Sequence, residues 1–144
     1  MSTKVRDAMT PGVRAVAPTD SVTEAAQAMK EQDVGSLPVV EGESLVGIVT
    51  DRDIVVRAVA EGVDPRTATV GDVTSGDLVT VEPDEDLDDA LKLMAQHRIR
   101  RLPVVEDGRL VGVVAQADVA LEANDKDAGE MLAEISQPSS TPRE

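Results

Sequence analysis

The residues best suited to chemistry lie between Gly47 and Asp53, where a threonine and an aspartate share the first turn of a possible helix. An aspartate in that position can accept hydrogen bonds from the two neighbouring hydroxyls of a ribose, and Thr50 offers a hydroxyl beside it. Gly47 permits close backbone approach to a ligand. The same Thr50 and Asp53 side chains also have the spacing of a helix cap. Taken alone, the segment leaves ribose binding and capping both open.

A second group of interest is the densest basic cluster of the chain, formed by Arg98, Arg100 and Arg101. The planar guanidinium fork of arginine matches the oxygens of a phosphate. The three side chains could instead pair with surface carboxylates, although an exposed ion pair contributes only about 0–1 kcal/mol. The cluster therefore favours phosphate recognition.

Several groups used in catalysis and metal binding are missing. The chain has no cysteine and a single histidine, His97. It therefore lacks the residues that form disulfides, zinc sites and the usual nucleophilic dyads. The carboxylates between Asp84 and Asp89 could hold a hard cation, but acidic residues are also expected at a helix N-terminus. We therefore predict neither a metal site nor an enzyme.

The formal net charge of −14 restricts the partners of the protein. Over most of the surface, this charge repels nucleic acids and anionic membranes. No run approaches the roughly 18 apolar residues of a membrane span, and the N-terminus carries no hydrophobic signal stretch. We expect a cytoplasmic protein that binds neither nucleic acid nor membrane, with any anion site confined to a local patch.

The elements that must position these residues occur twice. The stretch LPVVEGESLVGIVTDRD, from Leu37 to Asp53, returns as LPVVEDGRLVGVVAQAD, from Leu102 to Asp118. Roughly a third of the positions are identical between residues 5–54 and 70–119, far more than chance supplies. Each stretch is typical of a β-hairpin that leads directly into a helix. The simplest interpretation is an α/β (α+β) fold built from a duplicated β-α-β-β-α unit.

Periodicity and capping signals give limits for each element. In the first copy we predict an extended piece, a helix, two strands and a closing helix at about 13–17, 22–32, 37–40, 45–49 and 51–61. In the second copy the corresponding elements fall at about 78–81, 86–96, 102–105, 110–114 and 116–123. The first copy occupies residues 1–69, which include an N-terminal lead (residues 1–12) and a linker (residues 63–69). The second copy occupies residues 70–124. Residues 125–144 form an acidic and then Ser/Pro-rich tail that we expect to be partly disordered.

With this repeat and its Gly-x-x-Thr-x-x-Asp ending, the chain resembles the cystathionine β-synthase (CBS) domain family over about residues 5–123, as a stand-alone CBS pair. The resemblance implies tandem CBS motifs packed as a pseudo-twofold module with two clefts, and two such modules joined as a homodimer. It also implies that the clefts often bind AMP, ADP, ATP or S-adenosylmethionine, although some members bind no ligand.

The resemblance assigns roles to particular residues. The matching Thr and Asp of the family contact the ribose and phosphate region, which implies Thr50 and Asp53 here. The residues before Leu-Pro in the other motif reach the phosphate of the same ligand, which implies Arg100 and Arg101. The second cleft keeps Asp118 but has alanine in place of the threonine, so we expect it to be depleted.

The adenine ring must lie against aliphatic side chains, because the chain has no Phe, Tyr or Trp on which it could stack. The candidates are Ile48, Val13 and Ile99, each of which could also be an ordinary core residue. The prediction is a regulatory or sensing module that binds an adenine nucleotide in the cleft between its motifs and requires no cofactor. The alternative is a ligand-free module for protein–protein interaction or for structure, with a partner that the sequence does not identify.

Overall fold

The computed structural model of the 144-residue chain describes residues 3–74 and 78–118. The helices are α1 (Val5–Ala8), α2 (Val22–Gln32), α3 (Asp51–Ile54), α4 (Val70–Val73) and α5 (Leu87–His97). The strands are β1 (Ser36–Glu41), β2 (Ser44–Thr50), β3 (Arg101–Glu106) and β4 (Arg109–Ala115). A π-helical turn, Val55–Val59, continues α3. The predicted C-terminal tail lies outside the described residues.

The two long helices begin and end within one residue of the predicted limits. At the start of α2, the Ser21 hydroxyl accepts a hydrogen bond from the Glu24 N–H at 3.0 Å. The Glu24 carboxylate accepts one from the Ser21 N–H at 2.8 Å. This reciprocal capping box satisfies two backbone donors that the helix itself leaves without partners, and so fixes where α2 starts.

The predicted hairpins are confirmed. Strands β1 and β2 pair antiparallel, with Leu37 opposite Val49, and β3 neighbours β4 in the second copy. A register shift after Val39 leaves Val46 as an extra residue, which forms a β-bulge and is 47% exposed. The fold class predicted from the sequence, a duplicated unit of helices and antiparallel strands, is therefore confirmed.

The closing helix of the first copy starts at Asp51, as predicted, but changes its geometry after one turn. The backbone N–H of Ala60 donates to the carbonyl of Val55 at 2.8 Å, which is the spacing of a π-helix. This turn contains three β-branched residues, Val55, Val56 and Val59, whose side chains crowd the preceding helical turn. In the second copy, residues 116–118 are helical, and the rest of the predicted closing helix lies outside the described residues.

The chain folds into two compact units that do not coincide with the two sequence copies. The unit that we call the first-copy unit comprises Val13–Leu78 and Gly108–Leu110. The other, the second-copy unit, takes its described residues from Met1–Gly12, Val79–Asp107 and the segment that begins at Val111. The N-terminal lead, placed by the sequence boundaries with the first copy, thus belongs to the second-copy unit.

Each unit has its own aliphatic core, and a short helix contributes to each of them. These helices are α4 in the first-copy unit and α1 in the second-copy unit, and we call them the leading helices because each lies at the start of a sequence copy. In the first-copy unit, Val70 and Val73 of α4 are at most 1% exposed and pack with Val22, Leu37 and Val49. The rest of that core is Val16, Ala25, Ala28, Met29, Val39 and Ala58. A four-residue helix can therefore be specified by two apolar positions that face a core.

The second-copy unit repeats this arrangement with α1. Val5 and Ala8 of α1 are buried in its core, and the Val5 N–H donates to the Glu85 carbonyl at 2.9 Å. The rest of that core is Val81, Leu87, Ala90, Leu91, Met94, Leu102, Val104 and Val114. No helix in the described part of the chain is long and apolar enough to cross a membrane.

Candidate functional site

Thr50 and Asp53 form a compact corner where β2 ends and α3 begins. The Thr50 hydroxyl accepts a hydrogen bond from the Asp53 N–H, and the Asp53 Oδ2 accepts one from the Thr50 N–H, both at 3.0 Å. Asp53 is only 8% exposed and is the one charged side chain that is buried among the described residues. The two residues therefore cap α3 reciprocally.

The capping box leaves part of the bonding capacity of both side chains unused. It engages Oδ2 of Asp53, whereas a carboxylate offers two oxygens and about four acceptor sites. The Thr50 hydroxyl acts as an acceptor in the cap and still has a hydrogen to donate. Capping and contact with a ligand are therefore chemically compatible in this corner.

The matching corner of the second copy receives a hydroxyl from a different element. The Ala115 N–H donates to the Asp118 Oδ2 at 3.3 Å, which preserves half of the capping box. Ala115 has no hydroxyl, but the Thr10 Oγ1 lies 3.5 Å from the Asp118 Oδ2 within the same unit. Sequence comparison of the two copies missed Thr10, because its approach to Asp118 depends on how the distant N-terminal lead packs.

The candidate phosphate ligands lie just before and at the start of β3. Arg98, Arg100 and Arg101 are all exposed, and no carboxylate within residues 3–74 or 78–118 forms an ion pair with any of them. The Arg100 carbonyl accepts a hydrogen bond from the Gln116 N–H at 2.9 Å. The backbone next to the arginines is therefore fixed, while the guanidinium groups reach solvent.

The three aliphatic candidates for adenine contact are all half-buried. Ile48 lies in β2 opposite Pro38. Val13 begins the first-copy unit, and Ile99 packs against the core of the second-copy unit. Ile99 therefore has the core-packing role that the sequence left open for it, with part of its surface still accessible.

Gly47 packs against another part of its own unit. A Cβ placed on Gly47 would lie 2.8 Å from the Thr74 methyl carbon, closer than real Cβ atoms approach. In the second-copy unit a Cβ on Gly112 would lie 2.9 Å from the Thr10 carbonyl oxygen. The absence of a side chain at each glycine therefore leaves room for a residue just after a short helix, Thr74 after α4 and Thr10 after α1. The ligand approach suggested by the sequence is not needed to explain them.

Replacing Gly47 with alanine is expected to lower the free energy of unfolding by about 1–3 kcal/mol, because the added methyl overpacks a buried contact. Thr74→Ser removes the opposing methyl and keeps the hydroxyl that donates to the Val70 carbonyl at 2.7 Å. The double variant should therefore recover a large part of the loss in a denaturation experiment followed by far-UV circular dichroism. If Gly47→Ala costs as much in the Thr74→Ser background as in the wild type, this packing role is contradicted.

The acidic run before α5 is engaged with basic residues of the N-terminal lead. Arg6 pairs with Asp84, and the Lys4 Nζ lies 3.1 Å from the Asp86 Oδ1. No group of three or more His, Asp or Glu side chains among the described residues has the geometry of a metal site. His97 is exposed at the end of α5.

The first-copy unit also carries an open apolar groove of about 350 Å³. Its lining comprises Val22, Thr23, Ala26, Gln27, Lys30, Ile54, Val59 and Pro65. Beside it, the π-helical turn exposes Val55 by 56%, Val56 by 44% and Val59 by 63%. Val59 belongs to both the groove and the turn, and an apolar groove next to exposed apolar side chains is typical of an interaction surface.

Comparison with known proteins identifies the repeat. A family model described as the CBS domain matches residues 5–59 and again residues 70–124. The CBS domain-containing protein YhcV of Bacillus subtilis (strain 168) is 47% identical over 133 residues, which cover 92% of this chain and 94% of YhcV.

Two solved structures are each similar to more than four-fifths of the chain. The crystal structure of Hypoxic Response Protein I with two coordinated zinc ions has a TM-score of 0.78 at 40% identity, and the match covers 85% of this chain and 100% of that one. The crystal structure of CBSX2 in complex with AMP has a TM-score of 0.72 at 32% identity, and the match covers 82% of this chain and 94% of that one. Together with the two family-model matches, these similarities show that the chain belongs to the CBS domain family and carries two tandem CBS motifs.

Proposed function

We propose that this CBS-pair protein is a regulatory module that binds an adenine nucleotide, and that it is not an enzyme. Asp53 and Thr50 are the proposed ligands of the ribose, and Arg100 and Arg101 are the proposed ligands of the phosphate. The proposal includes the cytoplasmic location expected from the sequence. It is supported by the AMP complex of the similar protein CBSX2.

The observation that carries the proposal is the Thr50–Asp53 corner. A carboxylate held rigidly by a backbone N–H, with one oxygen outside that bond, is preorganised to accept hydrogen bonds from two vicinal hydroxyls. Because Asp53 is buried, its hydrogen bonds to a ligand face little competition from water. A ribose is the common biological group that offers two such hydroxyls.

The phosphate end of the proposal depends on charge. Arg100 and Arg101 concentrate positive charge in a chain whose net charge is −14, so an anion is attracted to this part of the surface and repelled from most of the rest. The purine is proposed to lie against aliphatic side chains, namely Ile48, Val13 and Ile99. As a mechanism, the ligand would shift the protein toward the conformation that it binds more tightly.

A second candidate function is protein–protein interaction without a nucleotide. The observation that favours it is the apolar groove of the first-copy unit together with the exposed valines of the π-helical turn. For this face we propose a second copy of the chain as the partner. The homodimer expected from the sequence is equally part of the nucleotide-binding proposal. The groove and the proposed ribose ligands can be tested separately, because the groove residues do not include Thr50 or Asp53.

Absorbance provides a sensitive test of nucleotide binding. The chain has no Phe, Tyr or Trp, so the purified protein is almost transparent at 280 nm, and a co-purified nucleotide would appear as a band at 260 nm. After the nucleotide has been removed, adding AMP, ADP or ATP at about 100 times its Kd should stabilise the fold by about 2.7 kcal/mol.

The test is read as a shift in the thermal unfolding midpoint, followed by far-UV circular dichroism. Stabilisation by an adenine nucleotide and none by inorganic phosphate at equal ionic strength is the expected result. If AMP, ADP, ATP and S-adenosylmethionine all leave the midpoint unchanged, the proposal of nucleotide binding fails and the interaction module becomes the better account.

A further inference from the structure

The residue that ends α5 adopts a backbone conformation that its side chain disfavours. Arg98 has φ 57° and ψ 43°, in the left-handed region. Its N–H donates to the Ala95 carbonyl at 3.3 Å, and the Ile99 N–H donates to the Met94 carbonyl at 2.9 Å. Glycine is the usual residue at such a helix end, because a Cβ is crowded in this conformation.

The equivalent position of the first copy provides an internal reference. Asp33 ends α2 with φ 56° and ψ 50°, nearly the same conformation as Arg98. Aspartate is one of the few residues that tolerate this region, because its short polar side chain can bond to the local backbone. Arginine has no such compensation, so the chain keeps a long cationic side chain at Arg98 at the expense of stability.

Local structure does not account for this choice. Arg98 is exposed, and no carboxylate in the described ranges pairs with it. A cation near a helix C-terminus gains only about 0.3–1 kcal/mol from the helix dipole at an exposed site. That gain does not require a left-handed position, since Lys30 supplies the charge in α2 from within the helix. Arg98 lies close in sequence to Arg100 and Arg101, and like them it is exposed.

We propose that Arg98 is a third phosphate-binding residue, and that it makes the site prefer nucleotides with two or three phosphates over a monophosphate. This inference rests on the proposed function and adds a ligand preference to it. Three guanidinium groups without carboxylate partners in the described structure match a polyphosphate of three or four negative charges better than a monophosphate of two. Residues kept in strained backbone conformations are concentrated at functional sites, which is consistent with this role.

The test compares Arg98→Gly with Asp33→Gly in the full chain. Both variants place glycine at a left-handed helix end, so both should unfold at a higher temperature, by about 3 °C for Arg98→Gly and less for Asp33→Gly. Calorimetric titration should show that Arg98→Gly binds ATP about tenfold more weakly than the wild type, as expected for one lost charge-assisted contact. Its affinity for AMP should change by less than about twofold, and Asp33→Gly should bind both nucleotides as the wild type does.

The outcomes separate this inference from the proposed function. If the wild type binds none of AMP, ADP, ATP and S-adenosylmethionine, both fall. If the wild type binds nucleotides and Arg98→Gly binds ATP with unchanged affinity, only the role of Arg98 falls. It also falls if the variant loses ATP and AMP equally. Arg98→Asn, which tolerates the same backbone conformation without the charge, should reproduce the effect of Arg98→Gly.

Discussion

Asp53→Ala is expected to weaken binding of an adenine nucleotide by about 100-fold, because it removes two charge-assisted hydrogen bonds from a buried acceptor. The substitution also removes the carboxylate that accepts the Thr50 N–H, so the free energy of unfolding should fall by about 1–2 kcal/mol. Calorimetric titration at a temperature well below the unfolding transition measures the first effect, and chemical denaturation measures the second.

Asp72→Ala is the matched control for this variant. Asp72 accepts the Thr69 N–H at 3.1 Å in the capping box of α4, so its loss also costs a cap, but it is exposed and is not among the proposed ligands. Asp72→Ala should therefore lower stability and leave the affinity unchanged. Asp118→Ala should weaken binding less than Asp53→Ala, and the reverse ranking would mean that the second corner is the main ribose site.

Leu102→Ala is expected to lower the free energy of unfolding by about 3 kcal/mol, since it leaves a cavity in a core built only from aliphatic side chains. Leu102 has 0% exposure and lies in the core of the second-copy unit. Leu37, its repeat equivalent, is 2% exposed in the core of the first-copy unit, and Leu37→Ala should cost a similar amount. Far-UV circular dichroism in urea is the suitable probe, because the chain has no fluorescent tryptophan.

The control for the leucine variants is Val46→Ala. Val46 is 47% exposed at the β-bulge, so its truncation should change the free energy of unfolding by less than about 0.5 kcal/mol. A cost for Leu102→Ala no larger than that for Val46→Ala would contradict the assignment of Leu102 to a tightly packed core.

Most of the regular structure could be predicted from the sequence, because local signals and the repeat agree with each other. The capping box of Ser21 and Glu24 marks the start of α2, and the helix period carries it to Gln32. The hairpins follow from the β-branched runs and from the short polar turns between them. The second copy then supports each assignment at an equivalent position.

The packing partners of the short leading helices could not be predicted in the same way. Val5 and Ala8 carry an apolar spacing that says only that one face is buried, and nothing local states in which core. The sequence boundaries therefore kept the lead with the first copy, whereas the structure packs it in the second-copy unit. The contact of Thr74 with Gly47 was missed for the same reason, since it depends on tertiary packing.

For the candidate site, too, local features could be predicted from the sequence and contacts made by tertiary packing could not. The sequence left capping and ribose binding both open for Thr50 and Asp53, and the structure shows the reciprocal cap. The approach of Thr10 to Asp118 and the left-handed backbone of Arg98 have no signal in the sequence, because both arise from the three-dimensional course of the chain. The roles of Arg100 and Arg101 as phosphate ligands stay predictions.

The most direct test is a calorimetric titration of the nucleotide-free wild-type chain with AMP, ADP and ATP. We expect saturable binding of at least one of them, with an affinity that falls as salt is added, because arginine side chains contact the phosphates. The absence of measurable binding of all three at millimolar concentration would contradict the assignment of Thr50, Asp53, Arg100 and Arg101 to a nucleotide site.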